Sequence, residues 1–181
     1  GGAAGASTAA GAQAATHLFN AMSGLESRAP GLVGAALNTS GVTTGLIADG
    51  VHVHPTSIGI ALRAHQGTAF LVSDAMSVAG TNLAEFSLTG QRVFRHDGRL
   101  VLADGTLAGA DLDLLTAARN LVTWGHASRE TALAMATRIP AELIGRAPLG
   151  TLAAGVTADV LHVSDDLGTL YNVWRAGRRI Q

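Results

Sequence analysis

The segment Thr16-His17-Leu18-Phe19-Asn20-Ala21-Met22 begins within a short apolar run and leads into a polar turn. This order places His17 at the C-terminal end of a predicted strand, with the amide of Asn20 and the guanidinium of Arg28 in the loop that follows. Functional side chains of (β/α) barrels lie at the C-terminal ends of strands, and imidazole is a favoured ligand of divalent metals. His17 is therefore a candidate metal ligand, with a hydrogen-bonded structural histidine as the alternative.

The apolar run Ala15–Phe19 is the first of three similar segments, and the others are Thr43–Ala48 and Ala69–Ser73. Their starts are separated by a little less than the roughly 30 residues that a βαβ unit needs. Helical patterns that begin at Pro30 and Pro55 fill the intervals, because proline suits the first turn of a helix. We therefore predict a parallel sheet with right-handed crossovers.

A carboxylate, Asp74, follows the third of these segments. At the C-terminal end of a parallel strand, its carboxylate would lie at the same edge of the sheet as His17. There it could take a proton from an attacking water and pass it to a leaving group. An aspartate in this position also commonly caps a helix or closes an Asx turn.

Two loops add further candidates. In Asp49-Gly50-Val51-His52-Val53-His54 the two histidines alternate along an extended segment, so only one of them can point into the site. Two surface histidines are the alternative interpretation. The Gly-bounded loop Gly105-Thr106-Leu107-Ala108-Gly109 precedes a predicted helix, and its backbone could line a pocket or simply form a turn.

The pattern changes after the third apolar segment. Alternating residues near 85–103 predict an antiparallel hairpin. Two helices are predicted next, one over about 111–124 and one that begins at Ser128 and ends before Pro140.

Short strands are predicted again after Gly150, over 159–163, 171–175 and 178–181. We therefore divide the chain into two parts. Residues 1–145 form a partial barrel that carries the hairpin insertion, and residues 146–181 form part of a small β domain.

The composition of the 181-residue chain argues against several classes of binding partner. The net charge is −1 and no basic block occurs, which argues against a nucleic-acid partner. Cysteine is absent, so thiolate metal sites and disulfides are excluded, and a reducing cytoplasm is the expected location. No apolar run approaches the roughly 20 residues of a membrane helix, so we expect no membrane partner.

Taken in order, seven motifs resemble the N-acetylglucosamine-6-phosphate deacetylase family of the amidohydrolase superfamily: THLFNAM, RAPGLVGAAL, IADGVHVHP, LVSDAM, GTLAG, TAARNLV and LGTLAAGVTADV. They cover nearly everything from residue 15 to 181. The resemblance implies an α/β fold, namely the C-terminal part of a TIM-like (β/α)₈ amidohydrolase barrel plus part of a small β-sandwich domain.

The resemblance also implies an activity. The family removes acetate from N-acetylglucosamine 6-phosphate, leaving glucosamine 6-phosphate, with a divalent metal ion such as zinc or iron. By motif, His17 is implied as a metal ligand and Asp74 as the catalytic acid and base. The implied substrate-binding residues are Asn20, Ala21, Arg28, His52 and Leu107. A homodimer is implied for the full-length protein, with Arg28 serving the neighbouring subunit's site.

Two departures from the family pattern stand out. Ser23-Gly24 occupies the place where the family has proline, which affects loop stiffness. The family's metal-binding glutamate and two further site histidines belong before THLFNAM, and the chain starts with Gly1-Gly2 rather than methionine. We therefore expect this chain to be the C-terminal half of a deacetylase that needs the other half.

Two alternatives remain open at this point. The chain could be a catalytically inactive half-barrel, or a structural partner of another chain. It could instead belong to an amidohydrolase that acts on another amide, although Asn20 and Arg28 suit a phosphate.

Overall fold

A computed structural model describes residues 11–181. The first ten residues of the predicted 1–145 unit therefore lie outside the described part of the chain. The described residues form helices together with three separate sheets, one parallel and two antiparallel. The predicted α/β class is confirmed.

The parallel sheet contains β1 (Ala14–Ala15), β2 (Thr43–Leu46) and β3 (Thr68–Leu71), in that order. The registers Ala15↔Thr44 and Thr44↔Ala69 align the three strands. β2 is buried along most of its length because it is the central strand and helices cover the sheet. The sequence prediction of a parallel sheet is therefore correct.

The strands are shorter than the apolar runs suggest. β1 ends at Ala15 rather than Phe19, because the backbone angle φ is positive at His17 and at Phe19 and breaks the extended conformation. Hydrogen bonds nevertheless continue beyond the ladder, from the Leu18 amide to the Gly45 carbonyl at 2.8 Å. The chain therefore stays close to β2 while it turns.

Two helices form the crossovers. α1 (Gly31–Asn38) begins after Pro30, and α2 (Pro55–Ala64) has proline at its first position, where the missing N–H costs nothing. The His54 ring accepts a hydrogen bond from the Thr56 amide at 3.2 Å and so caps α2. His54 therefore has a structural role, which leaves His52 as the histidine of this loop that faces the site.

A four-stranded antiparallel sheet follows, in the order β4 (Glu85–Leu88), β5 (Gln91–His96), β6 (Arg99–Leu102) and β7 (Leu107–Ala110). The antiparallel pairing extends beyond the hairpin that we predicted near 85–103, because β7 joins it. The Gly-bounded loop is thus a strand rather than a plain turn.

Three helices complete the first part of the chain: α3 (Leu114–Thr123), α4 (Arg129–Ala136) and α5 (Arg138–Leu143). Asp113 and Ser128 accept hydrogen bonds at the starts of α3 and α4, as N-caps do. The helix predicted to end before Pro140 instead breaks at Thr137. Pro140 lies in the first turn of α5, where proline is tolerated.

The last sheet is small and antiparallel. It contains β8 (Val160–Val163), β9 (Leu170–Arg175) and β10 (Arg178–Arg179), with β9 in the middle. Val163 packs against the main core, so this sheet is attached to the rest of the chain.

The main core lies between the parallel sheet and the helices. Its largest fully buried side chains include Leu46 of β2, Ile58 of α2 and Leu121 of α3. A second, smaller cluster of Val78, Val93 and Leu100 lies under the antiparallel sheet. Within the described part of the chain, no helix combines the length and the apolar character needed to span a bilayer.

Replacing Ile58 with alanine should lower the free energy of unfolding by about 2–5 kcal/mol, because Ile58 is 0% exposed and its loss leaves a cavity. Ile60 on the same helix is 53% exposed, so Ile60→Ala should change stability by less than about 1 kcal/mol. Urea unfolding followed by circular dichroism measures both. Equal losses in the two variants would contradict the packing described here.

Candidate active site

The turn after β1 is held in an unusual backbone conformation. The angle φ is 38° at His17, 78° at Phe19 and 52° at Ala21. Such values are uncommon for residues other than glycine and concentrate at functional sites. A hydrogen bond of 2.9 Å from the Asn20 amide to the His17 carbonyl closes the turn. The turn therefore presents His17 and Asn20 at the end of the strand.

One ring nitrogen of His17, Nδ1, takes part in a hydrogen bond within the turn. Its Nδ1 lies 3.0 Å from the backbone oxygen of Asn20, and since a carbonyl only accepts, Nδ1 is the donor. In the neutral ring this tautomer leaves the lone pair on Nε2. Metal-bound histidines commonly donate their other N–H in this way. The side chain of Asn20 donates to the Leu18 carbonyl at 3.3 Å.

Asp74 follows β3 and has the same kind of backbone strain, with φ at 49°. Its carbonyl accepts a hydrogen bond of 2.8 Å from the Ala110 amide, and Ala75 bridges Ala110 in parallel. The residue is exposed. The strand end is therefore anchored through the backbone, which leaves the carboxylate free to contact a ligand.

The loop after β2 contains a buried pair of side chains. The Asp49 and His52 side chains are only 9% and 8% exposed. Nδ1 of His52 lies 2.6 Å from Oδ2 of Asp49, and Oδ1 of Asp49 accepts the amides of Val51 at 2.8 Å and His52 at 2.9 Å. Nε2 of His52 lies 3.3 Å from the Ala108 carbonyl.

These contacts move both pKa values. The hydrogen bond to Asp49 raises the pKa of His52 above 6.5, with further support from the charges of Asp49 and Asp74, although burial opposes it. Burial acts to raise the pKa of Asp49, but hydrogen bonds from the His52 ring and from the Val51 and His52 amides outweigh it and lower the pKa below 3.8.

The signs of the stability contributions follow from these directions. A raised pKa at His52 stabilises the fold fully below pH 6.5, and this stabilisation is lost as pH rises through the folded-state pKa. A lowered pKa at Asp49 stabilises the fold above pH 3.8, and this is lost as pH falls through the folded-state pKa. Between the two folded-state values the pair is fully charged.

Strand β7 contacts the segments that follow β2 and β3. The Ala108 carbonyl faces His52, the Ala110 amide bonds Asp74, and the Gly109 amide lies 3.1 Å from Sδ of Met76. A Cβ at Gly109 would lie 2.5 Å from Met76 Cγ and 2.6 Å from the Asp74 carbonyl oxygen. Only glycine allows β7 to approach this closely. Leu107, at the start of β7, is 39% exposed.

The predicted residues fall into two groups. His17, His52 and Asp74 follow neighbouring strands, and strands lie about 4.8 Å apart, so the three lie along one edge of the sheet. The negative charge of Asp74 contributes to the raised pKa of His52. Arg28 lies on an exposed loop and contacts none of these side chains by a hydrogen bond or ion pair within residues 11–181.

The described residues provide only part of a ligand set for a metal ion. Residues 11–181 contain no group of three or more histidine, aspartate or glutamate side chains that could hold a metal ion. His17 fits as one ligand, since its Nε2 lone pair is available. Catalytic zinc sites use about three protein ligands. His17 would thus be one member of a larger set.

Residues 3–180 match the sequence model of the amidohydrolase family. The chain belongs to the amidohydrolase family. Members of this superfamily are generally metal-dependent, which agrees with the ligand-like His17.

Two relatives of this amidohydrolase chain are named as amino-sugar phosphate deacetylases. The N-acetylgalactosamine-6-phosphate deacetylase of Shewanella sp. (strain ANA-3) is 45% identical over 93% of this chain and 43% of its own length. The N-acetylglucosamine-6-phosphate deacetylase of Vibrio furnissii is 36% identical over 97% of this chain and 44% of its own length. The chain therefore spans somewhat less than half the length of these relatives, and the resemblance found in the motifs is confirmed.

Structural comparison agrees. The crystal structure of N-acetylglucosamine-6-phosphate deacetylase from Pasteurella multocida matches with a TM-score of 0.91 and 31% identity, over 97% of this chain and 46% of that protein. The parallel sheet and its helices are therefore part of an amidohydrolase TIM barrel.

Sequence reasoning named His52 but missed Asp49. An aspartate three residues before a histidine, with glycine between them, could have indicated the pair. The backbone strain at His17 and Asp74 has no signal in the sequence, because both residues commonly occur in ordinary conformations as well.

Replacing Gly109 with alanine should lower the free energy of unfolding by about 1–3 kcal/mol, because the new methyl group overlaps the Asp74 carbonyl and Met76. Gly24→Ala is the matched control, since a Cβ at Gly24 meets nothing within 4 Å. Thermal unfolding of both variants measures the difference. If both variants are as stable as the wild type, β7 does not pack against residues 74–76 as described.

Proposed function

We propose that this chain takes part in the metal-dependent deacetylation of N-acetylglucosamine 6-phosphate, which yields glucosamine 6-phosphate and acetate. The observation that carries the proposal is the pair of strained strand ends that present His17 and Asp74 at one edge of an amidohydrolase barrel sheet. The substrates of the named relatives support an amino-sugar phosphate as the substrate class.

In this proposal Asp74 carries the proton transfers. Its carboxylate accepts a proton from the water whose oxygen adds to the acetamide carbonyl carbon. It then returns that proton to the sugar nitrogen as the C–N bond breaks, so that acetate and a free amine leave. The exposed carboxylate and the anchored Asp74 backbone suit a group that must act twice in one place.

His17 would hold a divalent cation, zinc or iron, through its Nε2 lone pair. When bound, such an ion polarises a carbonyl group and lowers the pKa of water. The other ligands belong to residues outside the described set, so we propose that the chain needs a further segment to complete the site.

Substrate binding is assigned to the remaining candidates. Asn20 and the Ala21 backbone lie in the strained turn and would bind the phosphate together with Arg28, whose guanidinium forms bidentate contacts. His52 would contact the sugar, and Leu107 would border it from β7. In a homodimer, the exposed Arg28 of each subunit would reach the phosphate bound by Asn20 and Ala21 of the other subunit.

The organisation of the chain forms part of the proposal. We assign residues 1–145 to the barrel and 146–181 to a small β-sandwich domain, with the antiparallel sheet β8–β10 as the observation in support. A cytoplasmic location suits an enzyme that acts on a sugar phosphate, and the proposal includes neither nucleic acid nor membrane as a partner.

A second candidate substrate is the galactosamine epimer, N-acetylgalactosamine 6-phosphate. The observation that favours it is the 45% identity to the Shewanella protein, which carries that name. The chemistry at Asp74 is the same for both sugars, so the two candidates differ only in contacts to the epimeric hydroxyl.

Asp74→Asn in the intact enzyme should abolish turnover with little loss of sugar-phosphate binding, because the amide cannot accept the proton of water. Asp97→Asn is the matched control, since Asp97 also has φ at 49° but lies in an exposed hairpin turn. Acetate release and calorimetric binding of N-acetylglucosamine 6-phosphate measure the two effects. Near-normal turnover in Asp74→Asn would overturn the assignment.

The 181-residue chain alone should retain far less than one zinc ion per molecule after dialysis, because His17 provides a single ligand. Elemental analysis measures the content, with His17→Ala and the exposed His96→Ala compared side by side. One tightly held zinc per chain that disappears only in His17→Ala would show that the chain completes a site by itself.

A further inference from the structure

Both nitrogen atoms of the His52 ring face oxygen acceptors. Nδ1 lies 2.6 Å from Oδ2 of Asp49, and Nε2 lies 3.3 Å from the Ala108 carbonyl oxygen. Neither oxygen carries a hydrogen at neutral pH, so each contact requires an N–H on the ring. A ring with two N–H groups is an imidazolium cation.

Asp49 cannot easily turn away from this ring. Its Oδ1 accepts the amides of Val51 and His52, which fixes the carboxylate plane, and its side chain is only 9% exposed. Charge-assisted hydrogen bonds of this kind are about twice as strong as neutral ones. The carboxylate therefore determines the orientation of the ring.

We propose that Asp49 is a positioning residue that holds His52 as an imidazolium, with its Nε2–H directed toward β7 and available to an oxygen atom of the substrate. The inference rests on the proposed function, because it makes His52 a hydrogen-bond donor to the sugar. A fixed donor selects ligands that present a hydroxyl or carbonyl oxygen at this point. The 3.3 Å contact to Ala108 is long, so a substrate oxygen can compete for the same hydrogen.

The groups around the ring all favour its charged form. Asp49 faces it from its own loop, Asp74 acts on it from the end of β3, and the Ala108 carbonyl faces it from β7. Burial of the ring is the opposing effect. Removal of the Asp49 charge should therefore release the proton at lower pH while the other two groups stay in place.

The variant that isolates this effect is Asp49→Asn. Asparagine keeps an oxygen for the two backbone amides but presents an N–H₂ group to Nδ1, which must then act as an acceptor. Asp104→Asn is the matched control, because Oδ1 of Asp104 also accepts the amide two residues later, from Thr106 at 2.9 Å, in a turn that contains no histidine partner.

The first measurement is nitrogen-15 NMR of the His52 ring across a pH series. In the wild type and in Asp104→Asn, both ring nitrogens should remain protonated above pH 6.5. In Asp49→Asn, the midpoint should fall, and Nδ1 should lose its proton. A wild-type ring that is neutral at pH 6.5, or an unchanged midpoint in Asp49→Asn, would overturn the proposal. The wild-type titration decides this even if Asp49→Asn does not fold.

The second measurement adds N-acetylglucosamine 6-phosphate to the intact enzyme and follows the His52 Nε2 signal. The signal should shift in the wild type and in Asp104→Asn, and the shift should be lost in Asp49→Asn. Shifts at other residues without one at His52 would overturn the positioning role. If the sugar phosphate changes no signal in the intact enzyme, the proposed function fails, whereas the pH series still decides whether Asp49 holds the ring charged.

Discussion

Two adjacent carbonyl groups of β2 accept hydrogen bonds from the segments that follow β1 and β3. The Gly45 carbonyl accepts the Leu18 amide at 2.8 Å, and the Leu46 carbonyl accepts the Val72 amide at 3.0 Å. A Cβ at Gly45 would lie 3.0 Å from the Phe70 ring and 3.1 Å from Val72, so glycine permits the close approach of β3. The candidate ligand and the candidate acid-base group are therefore both placed relative to one buried strand.

The segments that leave β1 and β3 contain residues with strained backbone conformations. A positive φ at a residue such as His17 or Asp74 costs on the order of 1–3 kcal/mol and persists only where surrounding contacts enforce it. The His17 turn is closed by its own hydrogen bonds, to and from Asn20. Asp74 has no such local partner for its carbonyl, and β7 supplies the Ala110 amide instead. The antiparallel sheet thus supports the site as well as its own small core.

Sequence reasoning succeeded where burial imposes a periodic pattern. The three apolar runs and the prolines before α1 and α2 predicted the parallel sheet, because buried strands and helix starts constrain residue type. It failed where long-range contacts decide the structure. It did not predict that β7 contacts His52 and Asp74, which are distant in sequence, or that groups from three elements surround the His52 ring. The pairing of β7 with β6 is local, but the sequence Leu107-Ala108-Gly109-Ala110 has no strand-like alternation.

The two sides of the site differ in whether their backbone groups are paired with a neighbouring strand. On the Asp74 side, β7 lies alongside residues 74–76 and satisfies their backbone groups. On the other side, β1 pairs with β2 alone within residues 11–181, and an edge strand leaves a row of backbone groups for a further strand. His17 follows this edge strand. Under the proposed function, the further ligands that share an ion with His17 are expected from the β1 side, whereas the backbone of the proposed acid-base residue Asp74 is held by β7 of this chain.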